Sequence, residues 1–196
     1  MANTQAQFGF KHIGYISGSA PDYQLSPRMI RSAYASAIFF GDPVVKSTGT
    51  NYIRQPADNT SLPIDGIFQG CWYVPSGGGA PVYSPSFPGS VQSDATAHVI
   101  DAPGALFLAA ALLTSVTGSA INANIGWSTG AGGTTSGGGF STYVVDSSTA
   151  TAQNSWPLRV VGLYQGVGNG SDATSNYNWV VVTFNNQRYK NLSAVL

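Results

Sequence analysis

Apolar residues in this chain fall in short runs cut apart by Gly, Pro, Asn and Ser, and where they alternate with polar residues the period is two. The clearest alternation is "INANIGW", where Ile121, Ala123, Ile125 and Trp127 share one side and Asn122, Asn124 and Gly126 the other, as in a half-buried strand. "AIFF" from Ala37, "VVK" from Val44 and "NYIR" from Asn51 read as strands separated by the turns "GDP" and "STG". Further strands are expected in "GIFQGCWYV" (66–74), "ATAHVID" (95–101), "FSTYVVD" (140–146), "PLRVVGLYQ" (157–165), "YNWVVVTF" (177–184) and "QRY" (187–189). Periodicity alone leaves "ALFLAAALL" (105–113) open between strand and short helix; Pro103 and Gly104 in front and its shortness favour strand. The "PSGGGAP" and "SPSFPGS" stretches read as loops, and "STGAGGTTSGGG" (128–139) as a flexible one.

The phrase "GIFQG" at Gly66 returns as "GLYQG" at Gly162. Within a strand, Ile67 and Phe68, like Leu163 and Tyr164, point to opposite faces, so both faces are apolar while the flanking glycines permit a bulge or a close backbone approach. A central strand crossing a core explains the phrase better than a duplicated ligand site, and Gln69 and Gln165 then need backbone partners. Only "SPRMIRSAY" offers a helix start, with Ser26 as N-cap and Pro27 at the first helical position. Residues 1–25 carry Phe8, Phe10, Ile13, Tyr15 and Tyr23 among Gly9, Gly14, Gly18 and Pro21, and read as an extended arm with aromatic and aliphatic anchors for a partner. The expectation is an all-β chain: the arm, then one domain over 26–196 built as an antiparallel, jelly-roll-like sandwich, with a small β-barrel as the alternative.

Composition narrows the chemistry. Charged residues make up 8% of the 196, the formal net charge is zero, and all eight acids are Asp. Without Glu, and with few Lys, exposed helix faces have little to be made from, which strengthens the all-β reading. Scattered basic residues form no phosphate-binding stripe, so neither nucleic acid nor a membrane surface is an expected partner. Cys71, alone, reads as a buried thiol, and no Cys or His pair has metal-ligand spacing. His12 and His98 read as structural, the aspartates form no glycosidase motif, and the Gly-rich loop lacks the Lys of a phosphate cradle. "GVGNGSDATSN" reads as a turn, being too poor in carboxylates for calcium. An enzyme is not expected, and neither a cofactor nor a metal. The opening residues have no basic-then-apolar leader, and "ALFLAAALL" is too short to cross a membrane, so a cytoplasmic origin is expected and the sequons at Asn59, Asn169 and Asn191 carry little weight.

Six phrases, "PDYQLSPRMI", "AIFFGDPVV", "GIFQGCWYV", "HVIDAPGALFL", "PLRVVGLYQGVGNGSDAT" and "WVVVTFNNQRY", together resemble the decoration or cement proteins that coat the major capsid protein of tailed-bacteriophage heads. The likeness spans most of the chain in the same order; Ala102 stands where that family tends to carry a second acid after Asp101. It implies a virion part on the outer capsid surface, assembled in the host cytoplasm, that associates with itself as a dimer or trimer and clamps major capsid protein subunits. Alternatives are a tail or receptor-binding component, and a carbohydrate-binding sandwich, for which exposed tryptophans would form the platform.

Overall fold

In the computed structural model, residues 2–22, 24–58, 61–129 and 140–190 are described. Among them twelve strands form: β1 Lys11–Tyr15, β2 Ser26–Ile30, β3 Pro43–Lys46, β4 Ile53–Arg54, β5 Ile64–Tyr73, β6 Val82–Ser84, β7 Ala95–Ile100, β8 Ala105–Ala110, β9 Asn124–Thr129, β10 Tyr143–Thr151, β11 Leu158–Leu163 and β12 Trp179–Phe184. They pair antiparallel into two sheets, one in the order β1-β8-β12-β11-β9-β10 and the other β2-β7-β5-β3-β4, with β6 also on β5. The sheets make an all-β sandwich. The first curls into a half-barrel, because Ala111 just past β8 bridges to Val145 of β10 and the Leu112 N–H donates to the Val145 carbonyl at 2.8 Å.

The jelly-roll character lies in one two-ply ribbon. β1 pairs with β8 in the first sheet and β2 with β7 in the second, so 16–25 and 101–104 cross between the sheets side by side. Here the structure corrects two expectations. "SPRMI" is strand rather than a helical turn, because β7 offers it a full ladder from Ser26 opposite Val99 to Ile30 opposite Ala95. Pro27 is tolerated because β2 ends its sheet, where one missing donor costs little. Nor does the expected arm stay clear of the domain where it is described: Lys11–Tyr15 is a sheet strand and Phe10 is fully buried.

Strand β5 explains the "GIFQG" phrase. Ile67 packs in the core between the two sheets, with Phe107, Trp127, Val182 and Phe184, whereas Phe68 packs in a second core on the far face of its sheet, with Ile30, Ile38, Phe87 and Val99. Both are fully buried, and a bulge falls between Phe68 and Gly70, as the glycine allowed. Gln69 is buried and its Nε2 donates to the Phe68 carbonyl at 3.1 Å. The second copy behaves otherwise: it runs off the end of β11, Tyr164 lies on Trp179, and Gln165 is exposed. Four smaller differences follow from pairing. "AIFF" makes only isolated bridges, "QRY" ends in a turn after a single bridge at Gln187, β9 begins at Asn124 rather than Ile121, and β6 forms within a stretch expected as loop.

Candidate functional site

The residues expected to anchor a partner are divided by the fold. Phe10 is in the inter-sheet core, edge-on to Trp127 at 6.5 Å between centroids, and serves no outside contact. Phe8 is half-buried against Trp179 at 4.9 Å, and the segment before it is tied down where Asn3 Oδ1 accepts from Gly170 N at 2.9 Å and Thr4 N donates to Asn169 Oδ1 at 2.7 Å. Tyr15 is half-buried beside the His12 ring and donates to Asp22; burial and that bond push its phenol up to about 12. Ile13 is exposed. Tyr23 lies outside the described residues, as do most of the Gly-rich loop and the sequons at Asn59 and Asn191.

Exposed beside Ile13 along the chain are Ile16 and Leu25, both in or next to the ribbon crossover. That corner is held stiffly. The Ile16 N–H donates to Gly104 O at 2.9 Å, Ser26 Oγ donates to Asp101 at 2.8 Å, and Arg28 bridges Asp65 at 2.6 Å and Asp101 at 2.5 Å. Asp65 is fully buried and takes a second guanidinium, from Arg188, at 3.3 Å, while Tyr189 lies beside both arginines. Sequence reasoning had no means of finding this cluster, whose members lie far apart in the chain. Its charges satisfy one another, so it acts as a clamp on the C-terminal turn rather than as a ligand site.

A cleft of about 280 Å³ opens beside the "GDP" turn, lined by Ser36, Phe39, Asp42, Gln55, Thr129 and Tyr143 among others. Asp42 is buried at its base. One carboxylate oxygen accepts from the Phe39 N–H at 2.8 Å and from Gln55 Nε2 at 2.6 Å, yet burial outweighs these bonds and pushes the carboxyl up to about 6. Among the described residues, the lining sets no His, Lys, Arg or Cys beside the acid. The turn is a structural node instead: Gly41 O accepts from Phe10 N, Gly41 N donates to Phe68 O, and Asp42 O accepts from Phe68 N, so one turn ties the N-terminal segment to β5. Cys71 is buried as expected, and burial pushes its thiol up to about 12.

The last feature sits where the β2-β7-β5-β6 sheet runs past the sandwich. The face of β5 that buries Ile64 and Ile67 continues, beyond the bulge, as Gly70 and Trp72. Directly opposed residues of antiparallel strands share a face, so Met29, Thr96, Trp72 and Tyr83 form one row across four strands, with Pro27, His98 and Gly70 in the row beneath. Trp72 is 48% exposed and Tyr83 51%, their rings 5.6 Å apart and tilted by 59°. Trp127 is fully buried and Trp156 and Trp179 are half-buried, so Trp72 is the exposed tryptophan. The "VY" between two Pro-rich stretches was the one trace of Tyr83 in the sequence. Three comparisons, with family models, with curated proteins and with solved structures, find no match to this chain.

Proposed function

We propose that this chain is a non-enzymatic decoration protein of a tailed-bacteriophage head. It associates with itself as a dimer or trimer and clamps major capsid protein subunits on the outer capsid surface, after assembly in the host cytoplasm. The partner class comes from the resemblance of the six phrases. The observation that carries the mode of binding is the exposure of the aliphatic side chains Ile13, Ile16 and Leu25 around a crossover stiffened by buried ion pairs, in a chain with 8% charged residues. Exposed aliphatic side chains on a stiff support bind by burying surface, lose little entropy in doing so, and are themselves not screened by salt. Weak contacts of this kind hold when an oligomer engages several capsid subunits together.

The test is to strip purified particles and add the chain back. Wild type should reoccupy heads in stoichiometric amount, with occupancy near-constant from about 0.05 to 1 M salt, a range over which the Debye length shrinks to about 3 Å. The double substitution Ile13→Asp, Ile16→Asp should cut occupancy at least tenfold. Finding the chain in a few copies per particle at the tail, or losing it stepwise as salt rises, contradicts the proposal.

A further inference from the structure

We propose that the overhanging row on β2, β7, β5 and β6 is a binding platform for a neutral saccharide, independent of the capsid contact. Three observations carry this. Tyr83 is fixed although half its surface is open: its hydroxyl donates to Gln69 O at 3.1 Å, and its ring lies over Gly70, where a Cβ would come within 2.4 Å of the phenol oxygen. Gly70 also sits at φ +130°. The backbone is thus shaped to hold an exposed ring beside Trp72, and a ring fixed in advance loses no rotamer freedom on binding.

The composition of the face also changes where the sandwich ends. Under the opposing sheet it carries Ile64, Ile67 and Ile100; past it, the same face carries Gly70, Trp72, Tyr83, Thr96 and His98, with Met29 and Pro27 at the β2 end. Two adjacent rings with a hydroxyl and an imidazole beside them match a pyranose, whose C–H face rests on the negative face of an aromatic ring while its hydroxyls reach hydrogen-bonding groups at the side.

Charge points the same way. None of the side chains in the two rows bears a carboxylate, ammonium or guanidinium, and at their margin Asp94, engaged by Tyr52 Oη at 2.6 Å and Ser32 N at 2.9 Å, stands within reach of the opposite charge of Arg31. A ligand without charge complements that surface, and an anionic one gains nothing from it. Four strands spaced about 4.8 Å apart give a row of roughly 14 Å, which suits a short oligosaccharide better than a single sugar.

The experiment uses the full chain and neutral hexasaccharides of β-1,4-glucose, α-1,4-glucose, β-1,4-xylose and β-1,4-N-acetylglucosamine, read by tryptophan fluorescence and by retardation in gels containing the matching polysaccharides. At least one should bind, with affinity unchanged in about 0.5 M salt and lowered at least tenfold by Trp72→Ala, and should shield the wild-type indole from acrylamide quenching. Trp72→Ala should leave the melting temperature and head occupancy unaltered, which separates this inference from the capsid proposal. Absence of binding to all four, or binding that survives Trp72→Ala, overturns it. So does sedimentation in which Trp72→Ala turns an oligomer into a monomer with no sugar bound, which would make the row a contact between copies. Should Trp72→Ala unfold the chain, the wild-type quenching measurement decides alone: no shielding by any hexasaccharide refutes the platform.

Discussion

Replacing Asp42 with Asn should make stability depend differently on pH, by an amount the structure sets. Asp42 is 1% exposed and its carboxyl is pushed from an ordinary 3.8 up to about 6, first by burial, against bonds from Phe39, Ser141 and Gln55. A folded-state pKa above the unfolded one means that the native state binds the proton more tightly. The acid's contribution is therefore fully present below pH of about 4 and is lost as pH rises through about 6. About two pKa units correspond to roughly 3 kcal/mol. His12 titrates nearby with the opposite sign, since burial lowers its pKa and its neutral form is the native one. The wild-type curve alone therefore mixes two effects. The difference between Asp42→Asn and wild type does not, because His12 is common to both. An amide imitates the protonated acid, with one oxygen for the Phe39 N–H, and Gln55 can turn its own amide to accept from the new NH2. Urea unfolding at pH of about 4, 5, 6, 7 and 8 should then show the variant gaining on wild type by about 3 kcal/mol from the lowest pH to the highest, equivalent to about 6–12 °C in melting temperature. A difference constant to within about 0.5 kcal/mol across that range would refute the reasoning and leave Asp42 an ordinary hydrogen-bonded carboxylate.

Other outcomes follow from packing. Gly70→Ala should cost about 1–3 kcal/mol in urea unfolding, because φ is +130° and the new methyl meets Tyr83 Oη and Ser84 O; a cost below about 0.5 kcal/mol would mean the bulge relaxes freely. Arg28→Met should destabilise by about 3–5 kcal/mol by leaving the fully buried Asp65 with Arg188 alone, and adding Asp65→Asn should restore part of the loss; a double variant worse than the sum of the singles contradicts the ion-pair account. Phe10→Ala should cost about 3–5 kcal/mol and Phe8→Ala about 1 kcal/mol by the same measurement, and equal small losses would return Phe10 to an arm.

What the sequence disclosed tracks how local each determinant is. Strands β5, β7, β8, β11 and β12 were legible because their apolar content is written in consecutive residues, and "GIFQG" even announced a strand with two buried faces. Its near-copy at Gly162 was not distinguishable, because burial of that phrase depends on what lies across it: Phe68 has Val99 opposite, whereas Tyr164 has passed the end of its ladder. "SPRMI" carries a true helix-start signal that loses to the ladder on β7. Phe87, a core residue between Ser86 and Pro88, and Tyr83, on a strand of three residues, were hidden for the same reason in reverse: local text says loop, and a distant partner supplies the pairing. The raised pKa of Asp42 was beyond any local reading, since burial and the opposing bonds from residues as distant as Gln55 and Ser141 set it together.

The fate of the five anchors shows why aromatic residues among glycines are ambiguous as a signal. Glycine before Phe10 reads as arm-like freedom, yet Gly9 is where the chain passes under Ser141 and Gly41, with no room for a side chain: a Cβ there would lie 2.3 Å from Ser141 Cβ and 2.7 Å from Gly41 O. The residue that looked like slack is the closest approach of the entry segment to the domain. Buried Phe10 and pinned Phe8 then secure the β1 edge, and the surface left for a partner shifts from aromatic to aliphatic, to Ile13, Ile16 and Leu25. Aromatic rings do stay exposed, but on the overhang of the other sheet, where Gly70 again marks a close approach. The two proposed contacts lie on different sheets, β1 with its exit in one and β6, β5, β7 and β2 in the other, so a substitution in one can be tested without touching the other.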